Sequence, residues 1–363
     1  METYPTILIC PLEWGLGHAG RMAAVARLLQ DRGCKILIGS GREHQAFFRN
    51  HLPGVSFVDF PGFRPRYSSI FPQYIALLAQ MPLLLFHIVS EHMKLKSMLR
   101  EQHVDIVISD NRFGLWNKRI RTVYVTHQIN IPFPRPFRFM EPLGALFHRF
   151  FIRRYDLCLI PDLPGPANLS GRLSHGMRLP ANAFYAGMMS RFPVDDDSPP
   201  KPDEEGYNTL ILSGPEPQRS LLRKMAAEAF RERTRKLVIL EGKPLGNYIA
   251  SVTVNTIPHN DLPDISMQRI IRGSEGIICR AGYTTLMELV TMGCSALLVP
   301  TPGQTEQEYL ADYLSGRGWF TSVKQKDLNK NSILPPAKGN WPEDLSEESG
   351  RLLEKAVDII LNK

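Results

Sequence analysis

The sequence predicts an α/β protein of two similar domains, each a mostly parallel sheet flanked by helices, facing one another across a cleft. Three observations carry that expectation. Short β-rich runs alternate with longer segments of helical periodicity through both halves of the 363-residue chain, the signature of strand–helix–strand units. The length exceeds one ordinary hydrophobic core and suits two domains of roughly 150–200 residues. Between the halves lies "FPVDDDSPPKPDEEG", residues 192–206, rich in proline and acid and without periodicity. It reads as a solvated linker, with Asp195–Asp197 part of it rather than a metal motif. The expected division is a first domain at 1–191, the linker at 192–206, a second domain at 207–345 and a C-terminal helix at 346–363 that packs back on the first domain.

In the first half, apolar and β-branched runs at 6–10, 35–39, 55–60, 105–109, 122–126 and 157–160 predict strands. Helical spacing predicts helices at 18–31, 43–50, 72–101 and 142–154, the third with Pro82 as a candidate break. The most apolar run, residues 75–89, is shorter than the roughly 20 residues a spanning helix needs. Gln80 and Pro82 also interrupt it, so no membrane span is expected. The second half repeats the alternation. Strands are expected at 209–214, 236–240, 252–257, 276–280 and 295–300. Helices are expected at 218–230, 266–273, after each of the last two strands, and at 346–361.

Composition narrows the partners. With 43% hydrophobic and 22% charged residues, the chain is a folded protein rather than a disordered one. A formal net charge of +7 favours an anionic partner such as a nucleotide, a nucleic acid or an acidic membrane surface. The positive charge is not gathered into a recognisable nucleic-acid module, which disfavours nucleic-acid binding. The five cysteines, Cys10, Cys34, Cys158, Cys279 and Cys294, are scattered through apolar runs with no CxxC or metal-like spacing. They are expected to be reduced core residues in the cytosol. The N-terminal residues lack the pattern of a secretory signal.

Chemistry is expected where strands meet helices, because ligands of such sheets lie at the strand carboxyl ends against helix N-termini. "CRAGYTTLMEL", residues 279–289, is such a junction. Gly282 opens close access to the free N–H groups of the first helical turn, and the hydroxyls of Tyr283, Thr284 and Thr285 add donors. Glu288, one turn deeper, suits a ribose diol, and the two features together describe a nucleoside diphosphate. The alternative is an ordinary capped helix with Glu288 exposed. "TPGQTEQEYL", residues 301–310, crowds Gln304, Glu306, Gln307 and Glu308 into another helix start, suited to sugar hydroxyls. Thr305 and Glu308 also read as a capping box. "LSGPEPQR", residues 212–219, offers Ser213, Gly214 and Arg219 as a weaker phosphate cradle and lacks the Walker ending. In the first half, "EWGLGHAGR", "SDNRFGLW" and "THQIN" bring Gly15, Gly17, His18, Asp110, Asn111, His127 and Gln128 to strand carboxyl ends.

"GLGHAGR" together with "CRAGYTTLMEL…VPTPGQTEQEYLADYL" resembles the GT-B nucleotide-sugar glycosyltransferases. In pattern it is nearest to those that add N-acetylglucosamine to the peptidoglycan lipid precursor. "WGLGHA", "SDNRFG" and "SGPEPQR" are also similar to a group of predicted bacterial glycosyltransferases. The resemblance covers nearly the whole chain and implies two Rossmann-like domains in the GT-B arrangement. It implies that the Ile257 backbone pairs with a uracil ring, that Glu288 holds the ribose, and that Thr284 and Thr285 lie over the diphosphate. It further implies that Gln307 and Glu308 hold the donor sugar, and that Gly15, Gly17 and His18 face the reacting centre. Three departures stand out: Glu308 replaces a glutamine, the Ser213 loop lacks paired glycines, and Arg21 follows "GHAG". The GHxxR spacing is also similar to a nucleotide-sugar hydrolase of the same fold.

The expected reaction is an inverting transfer from a UDP-sugar, N-acetylhexosamine-like, to a glycan or lipid-linked acceptor hydroxyl. His18 is the first candidate base, with Asp110 and His127 in reserve; otherwise His18 is a hydrogen-bonded turn residue. Helix N–H groups and Arg280 are expected to stabilise departing UDP without a metal or other cofactor. The aromatic and arginine-rich run 133–155, with the apolar run 75–89, either rests on an anionic membrane surface or forms buried helices. The expected location is the cytoplasm, at the inner face of the membrane if that surface is exposed. The rival expectations are a UDP-sugar hydrolase or epimerase, and a non-catalytic nucleotide-sugar binding protein.

Overall fold

The computed structural model describes residues 4–64, 79–133, 135–192, 206–246, 251 and 253–362. The first sheet is built from β1 (Thr6–Cys10), β2 (Lys35–Ser40), β3 (Ser56–Asp59), β4 (Ile106–Asp110), β5 (Arg121–Val125), β6 (Leu157–Ile160) and β7 (Ala183–Tyr185). Its order is β3-β2-β1-β4-β5-β6-β7, every pairing parallel. Helices α1 (Leu16–Asp31), α2 (Arg42–His51), α3 (Met81–Glu101) and α4 (Glu141–Ile152) make the crossovers. The second sheet joins β8 (Tyr207–Ile211), β9 (Lys236–Leu240), β10 (Thr256–His259), β11 (Gly276–Cys279), β12 (Leu297–Leu298) and β13 (Thr321–Ser322). Its order is β10-β9-β8-β11-β12-β13, again all parallel. Around it lie α5 (Gln218–Ala229), α6 (Asp264–Arg272), α7 (Tyr283–Thr291) and α8 (Thr305–Gly316), and α9 (Leu345–Leu361) closes the chain.

Strand order reverses between β1 and β4 in the first sheet and between β8 and β11 in the second. At such a switch point the flanking helices diverge and leave a crevice outside the strand carboxyl ends. Register places Cys10 beside Ser109 and Cys279 beside Ile211. The turns that follow these four strand ends are therefore the natural walls of a ligand site.

Several elements differ from the sequence expectation for physical reasons. Pro82 sits in the first turn of α3, where a missing N–H breaks no helical bond, so it starts the helix rather than breaking it. The earlier part of that expected helix, residues 72–78, lies outside the described residues, as do 193–205 of the linker, including Asp195–Asp197. Val252 is also outside them, and the strand expected at 252–257 is the shorter β10. Residues 295–300 contribute only a two-residue ladder at β12. The edge strands β7 and β13 are too short to show any periodicity in sequence.

The cores interleave along the chain. Leu163, Leu169, Leu173, Met188 and Phe192 pack with Leu286, Leu289 and Leu310 in the core beside the second sheet. Leu353, Ala356, Val357 and Ile360 of α9 pack with Val25, Leu29 and Ile36 in the core of the first. A segment before residue 191 thus packs in the second core, a departure from a cut at 191, while the last helix packs in the first. All five cysteines are buried thiols.

Truncating the fully buried Ile360 to alanine removes packing that α9 provides to the first core. It is expected to lower unfolding stability by about 2–5 kcal/mol, measured by urea unfolding followed by tryptophan fluorescence. Glu354→Ala, also in α9, breaks the solvent-exposed pair with Arg32 at the end of α1 and is expected to cost less than about 1 kcal/mol.

Candidate active site

The two switch-point crevices face each other and form one cleft with two adjoining lobes. Trp14, Gly15, Gly17, Ser213, Gly214 and Thr284 line both. The backbone approach between the domains is close. Gly15, the N-cap of α1, has φ 108°, a left-handed value that a side chain would strain. A Cβ added there would lie 3.6 Å from Gly214 Cα, and one on Gly17 would lie 3.3 Å from the Thr284 side chain. The glycines of "EWGLGHAGR" let the start of α1 touch the start of α7 across the cleft.

The first lobe gathers His18, Arg21, Asn111, His127, Tyr283 and Glu306. Asp110, at the end of β4, is fully buried. Its carboxylate accepts from Arg21 Nε at 3.0 and 3.1 Å and from Arg21 Nη2, and its Oδ2 lies 2.9 Å from His18 Nδ1. Asn111 follows in a left-handed conformation, φ 54°, which asparagine tolerates better than most residues. This turn sends Arg112 back into the core, where it meets Glu91 at 3.0 Å.

Burial raises the Asp110 carboxyl, but Arg21 and His18 outweigh it, and the net shift is below the usual carboxylate range. Asp110 is therefore an anion that only accepts, so the 2.9 Å contact requires the proton on His18 Nδ1. That leaves the Nε2 lone pair unprotonated, and Nε2 makes no hydrogen bond with the described residues. Burial lowers the His18 imidazole; Asp110 opposes this and the Arg21 cation adds to it, leaving a net downward shift. His18 is thus neutral at pH 7, oriented, and able to accept a proton.

The second lobe is lined by Glu288, Arg191, Arg219, Met267 and residues 259–262. Glu288 Oε1 accepts from Arg191 Nε at 3.0 Å, and burial raises its carboxyl despite that cation. Arg219 donates to the Gly242 carbonyl at 2.9 Å while its Nε is buried without a partner. At the rim, His51 Nδ1 lies 2.8 Å from Asp264 and Nε2 3.0 Å from Asp261. Arg27 and Arg191 also meet Asp264, at 3.0 and 3.3 Å.

Residues 209–335 match the sequence profile described as the glycosyltransferase family 28 C-terminal domain. Over 238 residues the chain is 25% identical to an uncharacterized glycosyltransferase of Methanosarcina acetivorans, covering 62% of each chain. Over 97 residues it is 30% identical to the UDP-N-acetylglucosamine–N-acetylmuramyl-(pentapeptide) pyrophosphoryl-undecaprenol N-acetylglucosamine transferase of Caldanaerobacter subterraneus subsp. tengcongensis, covering 26% of each. The chain thus aligns with less than two thirds of the length of either relative. In three dimensions it is similar to the glycotransferase of kitacinnamycin, with TM-score 0.63, 14% identity and 99% of both chains covered. The two facing parallel sheets are the GT-B fold.

Within the segment that matches this profile, Gly282 caps α7, and Thr284 and Thr285 of its first turn face both lobes. Ser213 and Gly214 line both lobes and Arg219 the second. Gln304 and Gln307 line the first, although Gln307 Oε1 already accepts from Thr301 N at 2.8 Å.

Five expectations are corrected. Arg280 is buried and donates to the carbonyls of Val299 and Gln218 at 2.9 and 2.8 Å. It ties the segment after β12 to the first residue of α5 instead of lining the cleft. Ile257 lies on the edge strand β10 outside the cavity lining, which that edge supplies from residues 259–262 instead. Glu308 turns to the Gly303 N–H at 2.8 Å and leaves the cleft to Glu306. Thr305 reaches the Pro132 carbonyl at 2.8 Å, and Gln304 is the N-cap, so no capping box forms. The Tyr283 hydroxyl, expected with Thr284 and Thr285 as a donor at the helix start, donates instead to the Pro161 carbonyl at 2.8 Å. Arg191 and the His51 cluster were missed, because pairs so distant in sequence leave no local spacing to read.

The His51 cluster sets a pH dependence. Burial lowers its imidazole, but hydrogen bonds to Asp261 and Asp264 outweigh this and the net shift is upward. A raised folded-state pKa gives stability that is fully present below the unfolded value near 6.5 and is lost as pH rises through the folded value. The stability advantage of wild type over His51→Gln is therefore expected to shrink from pH 6 upward. Urea unfolding across pH 6–9 measures it, and an advantage that grows with pH contradicts this assignment.

Proposed function

We propose that the protein is an inverting glycosyltransferase that moves a sugar from a nucleoside-diphosphate donor to an acceptor hydroxyl. The carrying observation is the opposition, across one cleft, of an oriented neutral base and a helix N-terminus. His18 Nε2 takes the acceptor proton as the acceptor oxygen bonds to the anomeric carbon from the face opposite the diphosphate. The glycosidic C–O bond breaks with its electron pair on the leaving diphosphate. That negative charge meets the free N–H groups and threonine hydroxyls of the first turn of α7. Arg219 adds positive charge nearby, so the reading needs no metal ion. Glu288 accepts from the ribose diol. The name of the relative from Caldanaerobacter supports UDP and an N-acetylhexosamine as the first donor to test. A second reading, hydrolysis of the same donor, has His18 activate water. Arg21 beside the base favours it no less than transfer.

The acceptor reading rests on the outer face of the first domain. Phe86, Val89 and Met93 of α3 and Leu143, Leu146 and Phe150 of α4 are exposed, Phe86 at 69%. The two helices flank Trp116, against which His92 of α3 stacks and over which the guanidinium of Arg154 lies. Lys94, Lys96 and Arg153 are exposed along the same helices. An apolar face edged by cations suits peripheral contact with an anionic membrane and hence a lipid-linked acceptor. No helix among the described residues is long and apolar enough to cross a membrane.

Four measurements test these readings. UDP is expected to raise the melting temperature, and His18→Ala is expected to lower donor turnover by about 10²–10⁴-fold with folding intact. The acid limb of wild-type kcat/KM should lie below 6.5, since activity is lost as pH falls through the lowered His18 value. Full turnover in His18→Ala would refute the base assignment, and consumption of donor without acceptor would favour hydrolysis. Vesicles containing anionic lipid are expected to sediment the wild type at low salt but not a Phe86→Glu/Leu146→Glu variant. Equal sedimentation of both would remove the membrane reading.

A further inference from the structure

The first lobe contains a chain of contacts that the proposed reaction does not itself require. Arg21 Nη1 lies 3.2 Å from His127 Nδ1, and His127 Nε2 lies 2.8 Å from Glu306 Oε1. His127 is 5% exposed, and its ring stacks on Tyr283 with centroids 4.0 Å apart and planes 5° apart. A guanidinium only donates, so His127 Nδ1 must accept and its proton must sit on Nε2. That proton goes to Glu306, a carboxylate that His127 holds below its usual range although burial raises it. His127 is therefore a fixed neutral tautomer with both nitrogens engaged, which removes it as a reserve base.

The same guanidinium binds Asp110 through Nε and Nη2, and Nη2 lies 3.0 Å from His18 Nδ1. Arg21 thus stands between two histidines. Its Nη2 competes with Asp110 for His18 Nδ1. If Nη2 donated there, the His18 proton would move to Nε2 and the lone pair facing the cleft would be lost. What pins the guanidinium in the arrangement that leaves Nδ1–H to Asp110 is its other arm, held by His127. Glu306 in turn holds His127, and Glu306 comes from α8 of the opposite domain.

We propose that Glu306 is a positioning residue for the base: through His127 and Arg21 it fixes the Asp110–His18 pair, so that the second domain must meet the first before His18 can accept a proton. The inference rests on the transferase or hydrolase reading above. It adds that donor-side closure and base activation are one event.

The test uses Glu306→Ala, which removes the acceptor, and Glu306→Gln, which keeps an acceptor oxygen without the charge. Glu306→Ala is expected to lower kcat by about tenfold or more while donor KM changes by less than about threefold, and Glu306→Gln is expected to restore most of kcat. Nitrogen-15 NMR of labelled histidine supplies a readout independent of turnover. Wild type should show His127 as the Nε2–H tautomer and His18 as Nδ1–H, and Glu306→Ala should lose both assignments. Unchanged kcat and unchanged tautomers in Glu306→Ala overturn the proposal. So does a loss in both variants that falls on donor KM, which would make Glu306 a sugar ligand. If no nucleotide-sugar is turned over by wild type, the functional reading fails while the tautomer experiment still decides the coupling.

Discussion

The candidate site depends on one buried carboxylate. An ionised Asp110 with no solvent exposure costs several kcal/mol in desolvation unless its charge is met at close range. Arg21 meets it with three N–H contacts and His18 with a fourth. Both partners come from one turn of α1, so the pairing fixes that helix against the end of β4. Removing either Arg21 or Asp110 leaves the other charge buried and unpaired, which is costlier than losing both. The pair is therefore poor as a source of net stability and effective as a source of geometry. The direction of the His18 ring and its tautomer follow from it, whereas burial, against Asp110, keeps the ring neutral.

The two domains repeat one device and use it differently. In each, the strand order reverses beside the first strand and a glycine precedes a helix at the crevice: Gly15 before α1 and Gly282 before α7. In the second domain the cleft wall is made of backbone N–H groups and small hydroxyls, which would suit the proposed diphosphate because they bring partial positive charge at short range without bulk. In the first domain the cleft wall is made of titratable side chains, which the proposed proton transfer requires. The glycines matter where α1 and α7 approach, since a Cβ on Gly17 would press on Thr284 and widen the cleft between His18 and the start of α7.

The alternation of strands and helices was legible because each element buries one face and so shows a period of two or 3.6 residues. β12 and β13, with two residues each, have no room for a period. Site residues were legible in proportion to how locally they are determined. Gly17, His18 and Thr284 follow directly from strand–turn–helix spacing. Arg280 shows the limit: its position beside a helix start suggested a phosphate ligand, yet the side chain turns under the sheet to two carbonyls. Glu306 and Glu308 show it again. Spacing placed both in one turn, but only the interdomain contact with His127 decides which enters the cleft. Arg191 is 97 residues from Glu288, and no spacing rule spans that distance.

Polar contacts bracket the cleft, with the His51, Arg27 and Arg191 cluster at one end and the His127–Glu306 contact at the other. Polar interdomain contacts of this kind are individually weak and readily exchanged with solvent or ligand, unlike an apolar seam. The apolar contacts that cross between domains belong instead to residues 163–192 and to α9, which tie the domains together away from the cleft mouth. Such an arrangement keeps the domains associated while leaving the cleft contacts free to rearrange around a donor. Glu288 illustrates the exchange: one oxygen is held by Arg191, and the other makes no hydrogen bond with the described residues. A ribose can engage that second oxygen without first breaking the ion pair that keeps the carboxylate charged.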